Sequence, residues 1–408
     1  MTNLLIVGAG LTGLFSAALA SRRGAKVTLI AEGRGALEIS HGCIDVIGSM
    51  LPSKALPRVP KAHPYSLAGL EALEGASKAF QQIAEEGSCP YLGSLSHILK
   101  LPTGLGAIHP TSFAPRTMAG GDLSEKGQMA IAGFTAFRDF QAPLIAGNLR
   151  GAGIPVSPVL ELPLVDAPKH RDAYATDLAH LFDDARFREE IARAWKPRLT
   201  AVRRLGLPAV LGFDRAGEAL ADLEERLGVR LFEIPTLPPC VPGLRLERLL
   251  RRAAVAAGTH LIEGAHAIGS VNGRTAGRRV AGVVADTAGG PRLYPATAVL
   301  LATGGVLNGG LVTRQDGRVQ ESVFDLPVAS TSDRSQWTGS SLLEPQPYAE
   351  FGVLVDRDMR PLGADGGPMF ENLFAAGGLL AGVDRGTEGS RQGIDLATAF
   401  RAVEVALG

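Results

Sequence analysis

Asn3-Leu4-Leu5-Ile6-Val7-Gly8-Ala9-Gly10-Leu11-Thr12-Gly13 leads through an apolar stretch to Gly24 and then into Lys26-Val27-Thr28-Leu29-Ile30. The run reads as strand, glycine-rich turn, helix and second strand. A G-x-G-x-x-G alone is weak; set between a buried-type strand and a helix, it is the fingerprint of a dinucleotide-binding turn. Gly8 permits the tight turn, Gly10 lets the backbone approach a pyrophosphate, and Gly13 lets the helix pack close to the strand. Leu11 and Thr12 open the helix, whose first amides and dipole favour an anion. The competing interpretation is a glycine-rich turn in an ordinary α/β protein.

An acidic residue is expected about 20 residues on, at the tip of the second strand, to bind a ribose hydroxyl. Ala31 stands at that tip and Glu32 comes one residue later. Side chains alternate across a strand. Glu32 therefore reaches the ribose only if a bulge turns it back; otherwise the adenosine half of the site is weak.

At 408 residues the chain exceeds one comfortable core, so two domains are expected. Apolar residues make up 46% and charged residues 20%, as in a soluble globular enzyme. The 51 glycines are well above the usual ~7%, which fits many tight βα turns and close backbone approaches. Net charge is zero, so there is no electrostatic footprint for nucleic acid. No stretch offers the ~18 consecutive apolar residues of a membrane span. The N-terminus enters a strand without the basic start of a secretory leader. A cytoplasmic protein is expected, with any membrane link supplied by a partner. Cys43, Cys89 and Cys240 form no C-x-x-C, so neither a zinc site nor an iron–sulfur cluster is supported. Cys43 reads as a small buried thiol, with a redox role as the alternative.

Two later segments repeat the theme of a strand ending in bare backbone. Ala298-Val299-Leu300-Leu301-Ala302 runs into Thr303-Gly304-Gly305, and Leu373-Phe374-Ala375-Ala376 runs into Gly377-Gly378. Ligands of open parallel sheets bind at the carboxyl ends of the strands. The three turns are therefore expected at one sheet edge, around one cofactor. Gln392 and Gly393 open a final helix from about Ile394 to Ala406, whose amides would face a flavin ring and favour negative charge on it. Gln128 to Arg150 is a second strand–loop–helix with one glycine where the fingerprint has three, and reads as architecture. Ala209 to Gly212 reads as a short buried strand. Four prolines between Ile234 and Gly243 read as a stiff return into the first domain. Gly269 to Val271 and Val280 to Ala285 read as two strands joined by a glycine-rich hairpin.

This order of turns resembles the flavoprotein subunits of fumarate reductase and succinate dehydrogenase. A closer resemblance lies outside the cofactor turns, in Ala62-His63-Pro64-Tyr65-Ser66-Leu67, Pro235-Thr236-Leu237-Pro238-Pro239, Gly243-Leu244-Arg245-Leu246 and Gly309-Gly310-Leu311-Val312. Ala36 to Val46 and Gly352 to Phe374 fit as well. These stretches are similar, in order and over nearly the whole chain, to the family of anaerobic glycerol-3-phosphate dehydrogenase B subunits. That resemblance implies an oxidoreductase, the flavin subunit of a quinone-linked complex at the inner membrane, partnered by a second flavin subunit and an iron–sulfur subunit. It implies FMN, whereas the G-x-G-x-x-G implies FAD. Ser40, Gly42 and Asp45 fall in the family's loop; Asp45 either bonds a polar edge of the flavin or caps a local turn.

Oxidising glycerol 3-phosphate requires a base for the hydroxyl proton and cations for the phosphate. His41 and His63 are the base candidates by loop position; a backbone-bonded loop histidine and a turn residue before Pro64 are the plainer roles. Arg245, Arg314 and Arg391 lie near strand ends or glycine turns and are the anion candidates, against the ordinary surface arginine. The chain would otherwise relay electrons without substrate chemistry. Two other readings are a stand-alone fumarate reductase-type enzyme on a small carboxylate and a non-catalytic flavin-binding scaffold. NAD(P)-linked oxidation would need a second intact G-x-G-x-x-G.

The expected fold is α/β, a Rossmann-like FAD/NAD(P)-binding flavoprotein fold with an inserted cap domain. The flavin domain is expected at 1–62, 234–312 and 365–408, the cap or interface domain at 63–233, and a connecting segment at 313–364.

Overall fold

The computed structural model describes residues 2–165, 173–272, 278–342 and 344–408. Their contacts divide the chain into two compact units. The first comprises Met1–Ala36, Asp45–Ile83 and Leu250–Gly408; the second comprises Leu37–Ile44 and Ala84–Leu249.

The first unit is built on a five-stranded sheet in the order His260–Glu263, Lys26–Ala31, Asn3–Val7, Ala298–Leu301, Leu373–Ala375. Every pairing is parallel. Runs of Leu, Ile and Val let these strands be buried on both faces, as a parallel sheet requires. Leu4, Ile6, Leu29, Val299 and Leu301 are fully buried. The helix Leu11–Arg22 is buried along almost its whole length because it lies against the sheet on one side and the terminal helix Arg391–Leu407 on another. That double burial explains an apolar sequence with no polar stripe. Asn3–Val7 is the central strand, and the chain visits its two neighbours in opposite directions. This is the topological switch point at which open α/β sheets take ligands. The unit also holds an antiparallel sheet of His266–Asn272, Val280–Asp286 and Arg292–Pro295. The glycine-rich hairpin expected between its first two strands lies largely in 273–277, outside the described residues.

The second unit has its own parallel sheet, ordered Arg230–Ile234, Arg204–Pro208, Met129–Phe134, Val156–Leu162. Its core gathers Phe134, Phe182 and Trp195, the rings of Phe134 and Trp195 stacking at 5.3 Å. Trp195 Nε1 donates to Pro163 O at 2.8 Å. The inserted segment is thus an α/β domain in its own right.

The unit boundaries differ from those read in the sequence. Residues 63–83 join the first unit, because the helix Pro64–Ala68 packs on the terminal helix and Gly75 lies against the Phe400 ring. The proline-rich stretch after Ile234 is not the return. Arg230–Ile234 is an edge strand of the second sheet, and the chain passes to the first unit between Leu249 and Leu250, inside the helix Val241–Ala256. Residues 313–364 belong to the first unit, anchored where Ala381 N donates to Val353 O at 3.1 Å. Ala209–Gly212 is buried but is no strand. The strand ends at Pro208, and tight turns follow as Val210 N donates to Pro208 O and Gly212 N to Val210 O. No helix among the described residues is long and apolar enough to cross a membrane.

Arg245 and Glu233 form an ion pair buried in the second unit, with Nη1 to Oε2 at 2.5 Å and Nη2 to Oε1 at 2.9 Å. Glu233→Ala strands the buried guanidinium, so urea denaturation should show a loss of about 3–5 kcal/mol; a loss below about 1 kcal/mol would mean that water reaches the pair.

Candidate functional site

The three glycine turns meet at one edge of the first unit's sheet. Gly8 has φ +108°, and its amide donates to Ile30 O at 2.9 Å. A Cβ on Gly8 would strike the Ala302 carbonyl, and one on Gly13 would strike the Gly8 carbonyl. Both positions therefore require glycine, one for its dihedral and both for space. A Cβ on Gly10 would meet nothing within 4 Å, so the backbone there is open to a ligand. Gly10 is the N-cap of the helix Leu11–Arg22 and supplies no side-chain cap. The first amides, at Leu11, Thr12 and Gly13, are thus free of a competing side chain at an end of positive potential.

The other two turns close around this one. Gly304 and Gly377 both have positive φ, at +77° and +71°. Ala302 N donates to Val7 O at 2.8 Å, and a Cβ on Gly305 would lie 2.9 Å from Gly378 O. A Cβ on Gly377 would press on Thr12 Oγ1 and Asp395 Oδ1. Gly377 N donates to Thr398 Oγ1 at 2.9 Å, which ties the turn to the terminal helix. Thr303 Oγ1 is buried with no hydrogen-bond partner among the described residues, which fits a polar group of a bound ligand. Bare backbone on three sides, an uncapped helix end and one orphaned hydroxyl together fit an FAD-sized dinucleotide.

The sequence reading missed residues that hold these turns together. Asp395 accepts from Arg385 Nη1 at 2.7 Å and bonds Thr12, which links the first turn to the last. Burial raises its carboxyl above the usual range, against the opposing pull of Arg385 and Thr12. The available signal was a lone acid inside an apolar helix, Ile394-Asp395-Leu396. Tyr65 donates to Val46 O, and a Cβ on Gly393 would collide with its hydroxyl. Burial first, then the carboxylates of Glu388, Asp395 and Asp45, push that phenol well above its ordinary range. The Asp45 carbonyl accepts from Gly393 N at 2.8 Å and its amide donates to Gln392 Oε1 at 3.4 Å. The opening of the terminal helix is therefore clamped.

The remaining candidates are placed differently. Ser40, His41 and Gly42 group with the second unit and not with the one that holds the glycine turns. Ser40 Oγ accepts from Gly42 N at 3.2 Å, His41 Nδ1 from Cys43 N at 3.1 Å, and Gly42 O from the Tyr91 hydroxyl at 2.6 Å. His63 is buried, with Nδ1 accepting from Tyr65 N at 3.1 Å and Nε2 lying 3.2 Å from Glu388 Oε2. An Nδ1 that accepts leaves the proton on Nε2, which donates to the carboxylate. So placed, His63 has no nitrogen for abstracting a proton. Arg245 is not an anion ligand: its guanidinium is engaged by Glu233 and Gly212 O. Arg314 is exposed, with Nε donating to Gln320 Oε1 at 2.5 Å. Arg391 is exposed at the start of the terminal helix. Glu32 is exposed and lies 3.0 Å from His266 Nδ1. Cys43 and Cys240 are buried, and burial pushes the Cys240 thiol to about 11, where it is not a nucleophile at neutral pH.

A family described as FAD binding domain matches residues 3–394. A protein of Halobacterium salinarum, named as the B subunit of a probable anaerobic glycerol-3-phosphate dehydrogenase, is 31% identical, over 98% of this chain and 96% of its own. The anaerobic glycerol-3-phosphate dehydrogenase B subunit of Pectobacterium carotovorum is 29% identical over 98% and 97%. Among solved structures, the 3-ketosteroid delta1-dehydrogenase of Sterolibacterium denitrificans aligns over the whole of both chains with a TM-score of 0.49 and 12% identity.

Two measurements test this geometry. Gly13→Ala drives a Cβ into the Gly8 carbonyl, so it should cost about 1–3 kcal/mol in thermal or urea unfolding and shed flavin on gel filtration; a variant that keeps its flavin would refute the close approach. Burial alone would raise the Glu388 carboxyl, but the hydrogen bonds and charge it receives, His63 foremost, hold it below its usual range. A lowered carboxyl contributes stability above its unfolded value and loses it as pH falls through its folded value. Glu388→Gln should therefore be about 1 kcal/mol less stable near pH 7 and lose less stability than the parent between about pH 5 and pH 3. Equal slopes would break the assignment.

Proposed function

The chain belongs to the FAD binding domain family and to the family of anaerobic glycerol-3-phosphate dehydrogenase B subunits, and from that premise we propose that it is the flavin subunit of a quinone-linked complex that oxidises sn-glycerol 3-phosphate to dihydroxyacetone phosphate. It is a flavin-dependent oxidoreductase. Of the two flavins expected from the sequence, the family match favours FAD over FMN, in agreement with a turn built for a pyrophosphate. The observation that carries the reading is the convergence of Gly8–Gly13, Thr303–Gly305 and Gly377–Gly378 on one sheet edge.

When bound, FAD supplies the acceptor for the hydride that leaves carbon 2. The chain's own part is to bind and orient. The amides of Leu11 to Gly13 and the dipole behind them meet phosphate charge. Bare backbone at Gly304 and Gly377 lets the cofactor lie close, and the Asp395–Arg385 pair keeps the last turn in place. Arg314 and Arg391 are the exposed members of the expected anion set in this unit. A guanidinium fork suits a phosphate ester, and Arg391 also sits at the start of the terminal helix.

One observation favours a second reading, in which the chain relays electrons from a partner. His63, the base candidate of the first unit, already uses both ring nitrogens. In either reading the complex would hold a second flavin subunit and an iron–sulfur subunit, with the chain cytoplasmic and peripheral to the inner membrane through a partner.

Full-length protein carrying FAD, mixed anaerobically with sn-glycerol 3-phosphate, should lose its flavin absorbance and yield dihydroxyacetone phosphate. Bleaching that requires added partner subunits would replace substrate oxidation with relay. Arg391→Gln should raise KM for the phosphate ester about tenfold or more with FAD retention unchanged, as loss of a charged hydrogen bond implies; an unchanged KM would exclude Arg391 from the phosphate.

A further inference from the structure

We propose that His180, Asp183 and Asp214 form a binding site for a divalent transition-metal ion in the second unit, with Zn²⁺ as the ion of matching chemistry. One nitrogen of His180 and one oxygen of each aspartate lie within 4.8 Å of one another. His180 Nδ1 stands 3.8 Å from Asp183 Oδ2. Zinc takes nitrogen and oxygen ligands at about 2.0–2.2 Å, so one ion set between these atoms needs only small rotations of the side chains. His180 is 57% exposed, which leaves the site open to solvent.

Two segments bring the ligands together. The helix Ala175–Phe182 carries His180 in its last turn, and Asp183 follows as its C-cap. A helix C-terminus is the negative end of the dipole and favours a cation. Asp214 lies in the loop between the strand Arg204–Pro208 and the helix Ala216–Leu227. That strand lies beside Met129–Phe134, where the strand order of the second sheet reverses. The loop thus leaves the carboxyl end of the sheet at its switch point, the place where open parallel sheets take ligands.

Each ligand is also held by groups outside the set, as the outer partners of metal ligands are. Asp183 Oδ1 accepts from Phe213 N at 3.0 Å and Arg215 N at 2.9 Å. Gly212, at φ +86°, lets the loop wrap this closely: a Cβ there would stand 2.9 Å from the same oxygen. The His180 ring stacks on Phe213, with centroids 4.6 Å apart. Arg248 lies over that phenyl ring at 5.0 Å and sets Nε 3.3 Å from Asp214 Oδ1. The amides that could receive an anion are therefore taken by Asp183, and the loop presents negative charge instead. The imidazole decides the class of ion. Carboxylates alone suit Mg²⁺ or Ca²⁺, whereas nitrogen beside oxygen suits zinc and its neighbours. Three protein ligands leave a further position for water, and the ion would tie the helix end to the loop.

The test is calorimetric titration of the full-length protein, stripped with a chelator, with Zn²⁺ and separately with Mg²⁺ and Ca²⁺. Circular dichroism checks the fold of each variant. Wild type should bind one Zn²⁺ at this site more tightly than either hard cation and melt at a higher temperature with zinc present. His180→Ala and Asp214→Asn should each weaken that binding at least about tenfold and abolish the rise in melting temperature. Asp183 is left intact, because its carboxylate also holds the loop. Co²⁺ in place of zinc should give a visible absorption band that His180→Ala loses. Mg²⁺ or Ca²⁺ binding as tightly as Zn²⁺ would reduce the cluster to an acidic patch and overturn the proposal. Zinc binding that both substitutions leave unchanged would put the ion elsewhere and overturn it equally.

Discussion

A helix can present its free amides at the end of a strand only if no side chain stands between the two. In this protein that condition is met at Gly8 and Gly13, where added methyl groups would run into the carbonyls of Ala302 and Gly8. The rest of the first unit follows from that close approach. The central strand and its helix become one rigid wedge, and Ala298–Leu301 can pair directly alongside it. The turn after Ala302 then arrives at the same edge. The terminal helix lies against the first helix, so its own opening turn is delivered there too. Backbone carbonyls hold no charge and few rotamers, so a site made this way needs little ordering when a ligand binds.

The parts of this architecture that depend on local chemistry were legible in the sequence. The three glycine turns, the buried strands before them and the final helix each carry their own signal within about ten residues. What was not legible depends on partners far along the chain. Arg245 looks like an anion ligand until Glu233 and the Gly212 carbonyl are seen to hold it. His63 looks like a base until Glu388, more than three hundred residues away, is found at its ring. Asp395 gave only the faint signal of an acid in an apolar helix. The domain boundaries were misplaced for a similar reason: prolines after Ile234 suggest a linker, but the passage between units occurs within a helix, where composition does not change.

In the second unit, one cluster of amides that could receive an anion is filled by the protein itself. Its sheet is parallel and has its own reversal of strand order beside Met129–Phe134. In the loop after Arg204–Pro208, the amides of Phe213, Asp214 and Arg215 converge as they would on a phosphate. The carboxylate of Asp183 accepts from all three. A side chain thus supplies the negative charge that those amides require. Arg188 does the complementary service nearby, donating to Asp222 and Glu218 and to the carbonyls of Phe182 and Asp183. Fold and function separate here: both units carry a parallel sheet whose strand order reverses beside its first strand, yet in the second this cluster of amides is satisfied by the protein's own carboxylate.

The strand order of the first sheet also dictates a timetable for synthesis. Asn3–Val7 leaves the ribosome well before Ala298–Leu301, one of its two sheet neighbours, and before Leu373–Ala375, the edge strand beyond that. Until those residues emerge, the nascent strand has an open flank of unpaired amides and carbonyls, the surface on which chains aggregate. The second unit suffers no such delay, since apart from a short early loop it is one continuous stretch from Ala84 to Leu249. It can fold while the first is still waiting for its last strands. A cofactor bound by all three turns therefore cannot be captured in full until the last of them has emerged.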